Sequence, residues 1–155
     1  QHCDYDTQLT IKQGIVSDLL QRQSQKAIRD SVHVLAAPLP SPSDFAYRQR
    51  IRLQVGDRSV VGFRRFRSHD IIPIDTCLLA GKAINDTITS LQDHDDGRKL
   101  CELSTEVELQ LNPETDKTVC IFHFSRKVRP ADVESAKQLC RDTLKVERIF
   151  FIGND

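Results

Sequence analysis

The chain has 155 residues, and its 22 basic and 22 acidic side chains cancel to a formal net charge of zero. This length is sufficient for one ordinary domain with a hydrophobic core, and 39% hydrophobic with 28% charged residues is typical of a soluble globular protein. No apolar run is long enough to span a bilayer, and no signal-peptide pattern is visible. We therefore expect a cytoplasmic protein that does not enter a membrane.

The cysteines and the absence of common catalytic motifs narrow the class of protein. Five cysteines, without a C-x-x-C pair, argue against a secreted disulfide framework. Three of them, Cys101, Cys120 and Cys140, lie on apolar stripes and are expected to be buried thiols. The sequence contains no glycine-rich phosphate loop, no G-x-S-x-G motif and no H-E-x-x-H motif. On its residues alone, the chain is predicted to be a binding module.

The N-terminal part is predicted to be helical and then extended. An amphipathic helix is expected from residue 4 to about residue 24, with Asp4 or Asp6 as its N-cap. Residues 32–35 are compatible with a short strand. Three prolines between Pro38 and Pro42 predict an extended connector. This connector leads into the most informative part of the chain.

That part is the basic segment, Tyr47–Asp75, which is predicted to form a β-hairpin, a basic loop and a short edge strand. Side chains of a strand alternate between its two faces, so Ile51 and Leu53 are expected on an apolar face. The opposite face would carry three arginines: Arg48, Arg50 and Arg52. A turn at Gly56–Asp57 would join the strands. Three more arginines follow the second strand: Arg64, Arg65 and Arg67. The clustering of positive charge predicts a polyanion-binding surface.

The remaining elements predict the fold class. A helix is expected from Ala80 to about Gln92, followed by an acidic turn at residues 93–97. Four elements would follow: a strand from Cys101 to Leu111, its hairpin partner from Thr118 to Ser125, a helix from Pro130 to Leu144 and a last strand from Arg148 to Ile152. This order predicts an α+β fold with an antiparallel β-sheet and packed helices. Acidic residues predominate in residues 86–116, so we also expect an acidic side opposite the basic one.

Short motifs follow one another in a fixed order through residues 1–90. They are Gln1-His2, Tyr5, Gln8-Leu9, Lys12, Pro40-Ser41-Pro42, Tyr47-Arg48-Gln49-Arg50, Gly62-Phe63-Arg64, Ser68-His69-Asp70-Ile71, Asp75-Thr76-Cys77 and Ile84-Asn85. In this order and spacing, the sequence resembles the S-adenosylmethionine-dependent RNA uracil-5 methyltransferases, which act on transfer RNA and large-subunit ribosomal RNA. Beyond residue 90 only the general pattern of strands and helices agrees.

The resemblance implies a place for this chain in a longer protein. Residues 1–155 would form the central domain, with a helical lead-in (1–30), a basic hairpin and helix (31–92) and a strand-strand-helix-strand part (93–155). An N-terminal RNA-binding barrel and a C-terminal methyltransferase domain would be absent, and the lack of Met in a chain that starts at Gln1 agrees with this. The parent protein would transfer a methyl group from S-adenosylmethionine to C5 of uridine in RNA, and this piece alone would not be catalytic.

The resemblance also implies a metal ligand. Cys77 would be one of the four cysteines that hold a [4Fe–4S] cluster in the parent protein, and a single thiolate cannot hold such a cluster alone. Leu78 stands where the family usually has Pro. A metal or redox protein that uses Cys77 and Cys3 is a further hypothesis.

Two functions of the basic segment remain open. In the first, it binds the phosphates of transfer or ribosomal RNA, because a guanidinium group binds phosphate through two parallel hydrogen bonds and stacks on unpaired bases. The candidate contacts are Arg48, Arg50, Arg52, Arg64, Arg65 and Arg67, with His69 as a weaker candidate. In the second, the basic face of an interaction or scaffold domain binds an acidic protein. Individual arginines could instead pair with the acidic strand at Glu102, Glu106 and Glu108. The sequence does not indicate an oligomeric state.

Overall fold

The computed structural model describes residues 3–22, 25, 26, 30 and 35–153 of the chain. These residues fall into two compact units, Gln1–Asp44 and Phe45–Asp155. The predicted short strand at residues 32–35 lies almost entirely outside the described residues, as does the Gln1-His2 motif. In the described part, no helix is both long enough and apolar enough to cross a membrane.

The first unit contains helix α1 (Tyr5–Gln21), which confirms the predicted N-terminal helix. Asp4 is its N-cap, and the Asp4 carboxylate accepts a hydrogen bond of 2.7 Å from the backbone N–H of Thr7. Such a cap satisfies one of the backbone donors that a helix start leaves without a partner. The hydroxyl group of Tyr5 accepts a 2.7 Å hydrogen bond from the backbone N–H of Ser41. This bond ties the proline-containing connector to the start of the helix.

The second unit is an α+β structure with one sheet of six strands. Its elements are β1 (Arg50–Val55), a 3-10 turn (Asp57–Ser59), β2 (Val61–Arg64), β3 (Ile71–Pro73), α2 (Lys82–Asp93), α3 (Asp95–Glu102), β4 (Ser104–Asn112), β5 (Lys117–Phe124), α4 (Pro130–Asp142) and β6 (Val146–Ile152). The strand order is β3-β2-β1-β4-β5-β6. The predicted α+β class is confirmed, and β3 is an edge strand as expected.

One pairing departs from the predicted antiparallel sheet. Four neighbouring pairs are antiparallel, whereas β5 and β6 are parallel. Helix α4 lies between these two strands in the sequence. It brings the chain back to the end of the sheet at which β5 begins, as a crossover between parallel strands requires. The sheet is therefore mixed.

The core forms where the helices meet one face of the sheet. Its fully buried side chains come from strands and helices alike: Leu53, Val107, Leu109 and Phe122 from the strands, and Ile84, Ile88, Leu91, Leu100 and Leu139 from the helices. Cys101 and Cys120 are buried as predicted, and Cys140 is half-buried. Burial raises the pKa of the Cys101 thiol to about 12. Such thiols behave as small hydrophobic groups.

Helix α3 replaces two predicted features, the acidic turn at residues 93–97 and the start of the strand at Cys101. The imidazole Nδ1 of His94 accepts a 3.2 Å hydrogen bond from the backbone N–H of Asp96 and caps the helix. Asp95 and Asp96 lie in the first turn, where the helix dipole favours negative charge. The adjacent residues Leu100 and Cys101 are both buried, which a strand with one buried face does not allow. The strand itself begins at Ser104.

Candidate nucleic-acid interface

In strand β1, exposed arginines alternate with buried apolar residues, as predicted from the sequence. Ile51 and Leu53 are buried in the core, whereas Arg50 and Arg52 are exposed. Arg48 precedes the strand, and its backbone is bonded to the loop before α2: its N–H donates to Leu79 (2.7 Å) and its carbonyl oxygen accepts from Gly81 (3.1 Å). The main chain of the basic segment is therefore held at both β1 and the residues before it.

The acidic strand lies directly beside these arginines. In the antiparallel register of β1 and β4, Arg52 is opposite Glu108 and Gln54 is opposite Glu106. Side chains of opposed residues point to the same face. The expectation that the acidic part forms a separate side is therefore wrong for β4, because the pairing of the two strands interleaves their charges.

Glu108 binds two arginines at once. Its carboxylate oxygens lie 2.7 Å from Nη2 of Arg50 and 2.9 Å from Nη2 of Arg52. The Nε of Arg52 also lies 3.2 Å from the carboxylate of Glu106. We call these four side chains the charge cluster. The alternative in which arginines pair with the acidic strand is thus correct for Arg50 and Arg52.

The charge cluster has no net charge, and its centre is buried. The Glu108 side chain is only 4% exposed, whereas those of Arg50 and Arg52 are 60% and 54% exposed. Hydrogen bonding from Arg50, and secondarily from Arg52, holds the pKa of the Glu108 carboxyl below its usual value, although burial alone would raise it. Arg50 and Arg52 therefore cover a buried carboxylate and add no surplus of positive charge to this face.

The three later arginines have a different environment. They lie in the segment Arg64–Asp70, which consists of the last residue of β2 and the turn that leads to β3 and which we call the arginine loop. The side chains of Arg64, Arg65 and Arg67 are exposed, and within the described part of the chain none of them has a carboxylate partner. The guanidinium carbon of Arg67 lies 5.1 Å from the ring centroid of Phe66, a cation–π contact. The surplus positive charge of the basic segment is therefore in this loop.

Hydrogen bonds hold the arginine loop in one shape. The backbone N–H of Arg65 donates to the carbonyl of Asp70 (2.8 Å), and that of Ser68 donates to the carbonyl of Arg65 (3.1 Å). The backbone N–H of Asp70 donates to the Ser68 hydroxyl at 3.0 Å. Arg67 has a φ of +56°, which the tight turn requires. The conformation presents consecutive side chains outward.

A glycine lets the two strands that carry this loop approach closely. Gly62 on β2 is paired with Pro73 on β3, and a Cβ atom at Gly62 would lie 2.0 Å from the carbonyl oxygen of Ile72. No side chain fits there without separating the strands. This contact explains in physical terms why Gly precedes Phe63-Arg64 in the motif.

His69 is exposed at the end of the arginine loop. It shares the lining of a shallow cleft with Asp57 and Asp70. The two carboxylates reduce the positive potential around the imidazole. His69 is therefore less suited to an anion than the three arginines of the loop.

Cys77 lies in the loop before α2, to which the backbone of Arg48 is hydrogen-bonded. Its backbone N–H donates to Oδ1 of Asn85 (2.8 Å), and Nδ2 of Asn85 donates to the carbonyls of Cys77 and Ala80 (3.2 Å each). This amide clamp accounts for Asn85 in the last of the sequence motifs. The described residues contain no group of three or more His, Cys, Asp or Glu side chains that could hold a metal ion. Because a [4Fe–4S] cluster takes four thiolates, these residues do not fit the cluster.

Two features of this surface were missed by reasoning from the sequence. Glu108 was named as a possible partner of the arginines, but its burial was not predicted, because the strand pairing that buries it is not visible in the sequence. Phe66 was passed over, yet it is 84% exposed between Arg65 and Arg67. An aromatic residue among arginines just after a strand was the signal that could have identified it.

The comparisons with known proteins agree with the motif resemblance. No family model matches the chain. The chain is 28% identical over 132 residues to an uncharacterized RNA methyltransferase of Aquifex aeolicus, in an alignment that covers 83% of this chain and 29% of that protein. It is 34% identical over 96 residues to the 23S rRNA (uracil(1939)-C(5))-methyltransferase of Pseudomonas fluorescens, covering 59% of this chain and 20% of that protein.

The fold is similar to part of a solved structure, that of the Pyrococcus abyssi tRNA (uracil-54, C5)-methyltransferase in complex with S-adenosyl-L-homocysteine. The TM-score is 0.68 at 21% sequence identity, and the match covers 100% of this chain and 36% of that one. The chain thus spans only a fifth to about a third of the length of the proteins that it matches. In sequence the chain is similar to one segment of these longer RNA methyltransferases, and in fold it is similar to one segment of the tRNA (uracil-54, C5)-methyltransferase.

Proposed function

We propose that this chain is the RNA-binding central domain of a longer RNA uracil-C5 methyltransferase. The parent protein would act in the cytoplasm and transfer a methyl group from S-adenosylmethionine to C5 of a uridine in transfer or ribosomal RNA. The names of the relatives and the S-adenosyl-L-homocysteine complex of the structural neighbour support this reaction for the parent. The role of the segment is to bind the RNA backbone, and it performs no chemistry itself.

The observation that carries the proposal is the arginine loop. Arg64, Arg65 and Arg67 are exposed and lack carboxylate partners among the described residues, and backbone hydrogen bonds hold them close together. Guanidinium groups arranged in this way can each bind a phosphate through two hydrogen bonds. Arg48 is also exposed and is a further candidate. Arg50 and Arg52 are secondary contacts because Glu108 and Glu106 already neutralise them.

The cluster ligand is a separate part of the proposal. Cys77 would supply one thiolate to a [4Fe–4S] cluster of the parent protein, and the other three would have to come from outside the described residues. The Asn85 clamp would fix the backbone on which this thiolate is carried. RNA binding by the segment does not depend on this assignment.

The test is the salt dependence of RNA binding. Each phosphate contact contributes a slope of about 0.7 to 0.9 in a plot of log affinity against log salt concentration. Replacing Arg64, Arg65 and Arg67 with Ala should therefore lower the slope by about two units. Replacing Arg50 and Arg52 should lower it by less than one unit, because their guanidinium groups are already paired with Glu108 and Glu106.

A matched control removes the same number of positive charges elsewhere. Lys99, Lys137 and Arg141 lie on helices α3 and α4, and their side chains are more than half exposed. Their replacement by Ala should leave the slope within about half a unit of the unmodified chain. A loop variant that behaves like this control would contradict the proposal. Polyglutamate, an acidic polypeptide, serves as a second ligand in place of RNA. Equal affinity for polyglutamate and for RNA would be expected only if the loop bound polyanions through charge alone.

A further inference from the structure

Phe66 has no structural role that accounts for its position. The residue is 84% exposed, although a phenyl ring is usually buried because its transfer from water to an apolar environment is favourable. Its ring is in contact with the guanidinium group of Arg67. The arginine loop keeps its shape through backbone and hydroxyl hydrogen bonds in which the Phe66 ring takes no part. The exposed ring is therefore not required for these hydrogen bonds.

The geometry leaves one face of the ring available. The guanidinium carbon of Arg67 lies 5.1 Å from the ring centroid and covers one face. With 84% of the residue exposed, the opposite face remains in contact with solvent. A planar group that approached this face would complete a stack of guanidinium, phenyl ring and ligand. Such a stack needs a flat ligand.

The charges around the ring indicate which flat ligand fits. Arg64 and Arg65 precede Phe66 directly, and both are exposed. An apolar protein surface would have to remove water from these cations, which is unfavourable. An unpaired nucleotide supplies both a planar base and an adjacent phosphate. Proteins that bind single-stranded nucleic acid combine aromatic stacking and basic side chains in this way.

We propose that Phe66 is a stacking site for an unpaired base of RNA, with the phosphates on either side of that base bound by Arg64 and Arg65. The proposal deepens the proposed function and rests on it. The site would select single-stranded or looped RNA over a continuous duplex, because a paired base has no free face for the ring. The arginines would supply affinity for the backbone, and Phe66 would supply the preference for an unpaired nucleotide.

The composition of the chain offers a direct reporter of this stack. The chain contains no Trp, so the Phe66→Trp variant has a single indole, located at the proposed site. Titration with a single-stranded RNA oligonucleotide should quench its fluorescence, and its affinity should stay within about threefold of the unmodified chain. Phe66→Ala should bind the same oligonucleotide about 5- to 150-fold more weakly, the range seen when a stacking side chain is removed. A paired RNA of equal length should show a much smaller difference.

The matched control is Leu144→Trp. Leu144 is 86% exposed and lies between α4 and β6, at the opposite edge of the sheet from β3. An indole there should show no quenching by the RNA. Equal quenching at both positions would refute the proposal, since it would reflect non-specific contact.

The outcomes separate this inference from the proposed function. If the arginine variants weaken RNA binding while Phe66→Ala binds normally and Phe66→Trp is not quenched, the stacking site is refuted and the proposed function stands. If Phe66→Ala weakens single-stranded and paired RNA equally, the selection of an unpaired base is refuted. If the unmodified chain binds no RNA, the proposed function and the stacking site both fail.

Discussion

Replacing Glu108 with Gln tests the electrostatics of this surface most directly. The Glu108 carboxylate binds Arg50 at 2.7 Å and Arg52 at 2.9 Å, and its side chain is 4% exposed. A Gln side chain of the same size keeps the shape but removes the negative charge. The charge cluster then changes from zero net charge, with two arginines and two glutamates, to a charge of plus one. The substitution should therefore destabilise the fold and strengthen RNA binding.

The size of the stability change follows from the hydrogen bonds that are lost. A hydrogen bond to a charged group contributes about 1.5–3 kcal/mol, against about 0.5–1.5 kcal/mol for a neutral one. The arginines are more than half exposed, so water replaces part of what they lose. We expect Glu108→Gln to lower the free energy of unfolding by about 1–2 kcal/mol, which for a domain of this size corresponds to a melting temperature lower by about 2–8 °C.

The pH dependence of this difference has a definite sign. The pKa of Glu108 is lowered by its arginine partners from an ordinary value of 4.5, so the carboxylate stabilises the fold fully above that value. The contribution is lost as the pH falls through the lower pKa of the folded state. The melting temperatures of the unmodified chain and Glu108→Gln, measured from pH 7 downward, should therefore differ near neutrality and converge in acid.

RNA binding gives the independent readout. Glu108→Gln should raise RNA affinity at low salt and steepen the salt dependence by up to about one unit, because one more guanidinium group is free to bind a phosphate. Equal melting temperatures at pH 7, or weaker RNA binding by a folded variant, would refute the reasoning. The second result would mean that Glu108 holds Arg50 and Arg52 in the position in which they contact RNA.

Two further substitutions test the backbone around the site. Gly62→Ala should lower the free energy of unfolding by at least about 2 kcal/mol, because its Cβ would lie 2.0 Å from a carbonyl oxygen of the next strand. The control Gly14→Ala, where nothing lies within 4 Å, should be neutral or stabilising in the same chemical denaturation experiment; similar losses would contradict the strand contact. Asn85→Asp places a carboxylate against the two carbonyl oxygens that the Asn85 amide now binds. The clamp on the Cys77 backbone should then open more often, so the Cys77 thiol should react about tenfold faster with a disulfide reagent. An unchanged rate would exclude the clamp.

Local periodicity was sufficient to predict the helices and strands whose structure depends mainly on residues close together in the chain. Helix α1 with its Asp4 cap, strand β1 with Ile51 buried, and α4 starting at Pro130 all follow from side-chain spacing and capping preferences. The motif order also indicated the resemblance to the RNA uracil-C5 methyltransferases that the comparisons support. The alternation around Cys101 was misleading, because hydrophobic residues at short range fit either a strand or a short helix. Helix α3 forms there because capping by His94 and burial of two adjacent side chains favour it.

The concentration of arginines in one segment and the family resemblance can both be read from the amino-acid sequence. Which of these arginines are available depends on the long-range pairing of the strands. Residues 50 and 108 are far apart in the chain, and the register of β1 and β4 alone brings Arg50 and Arg52 onto a buried carboxylate. Within the described residues the arginine loop pairs with no acidic strand, so its charge and the ring of Phe66 remain exposed. Charge is a property of composition, whereas its neutralisation depends on long-range pairing, which local sequence does not encode.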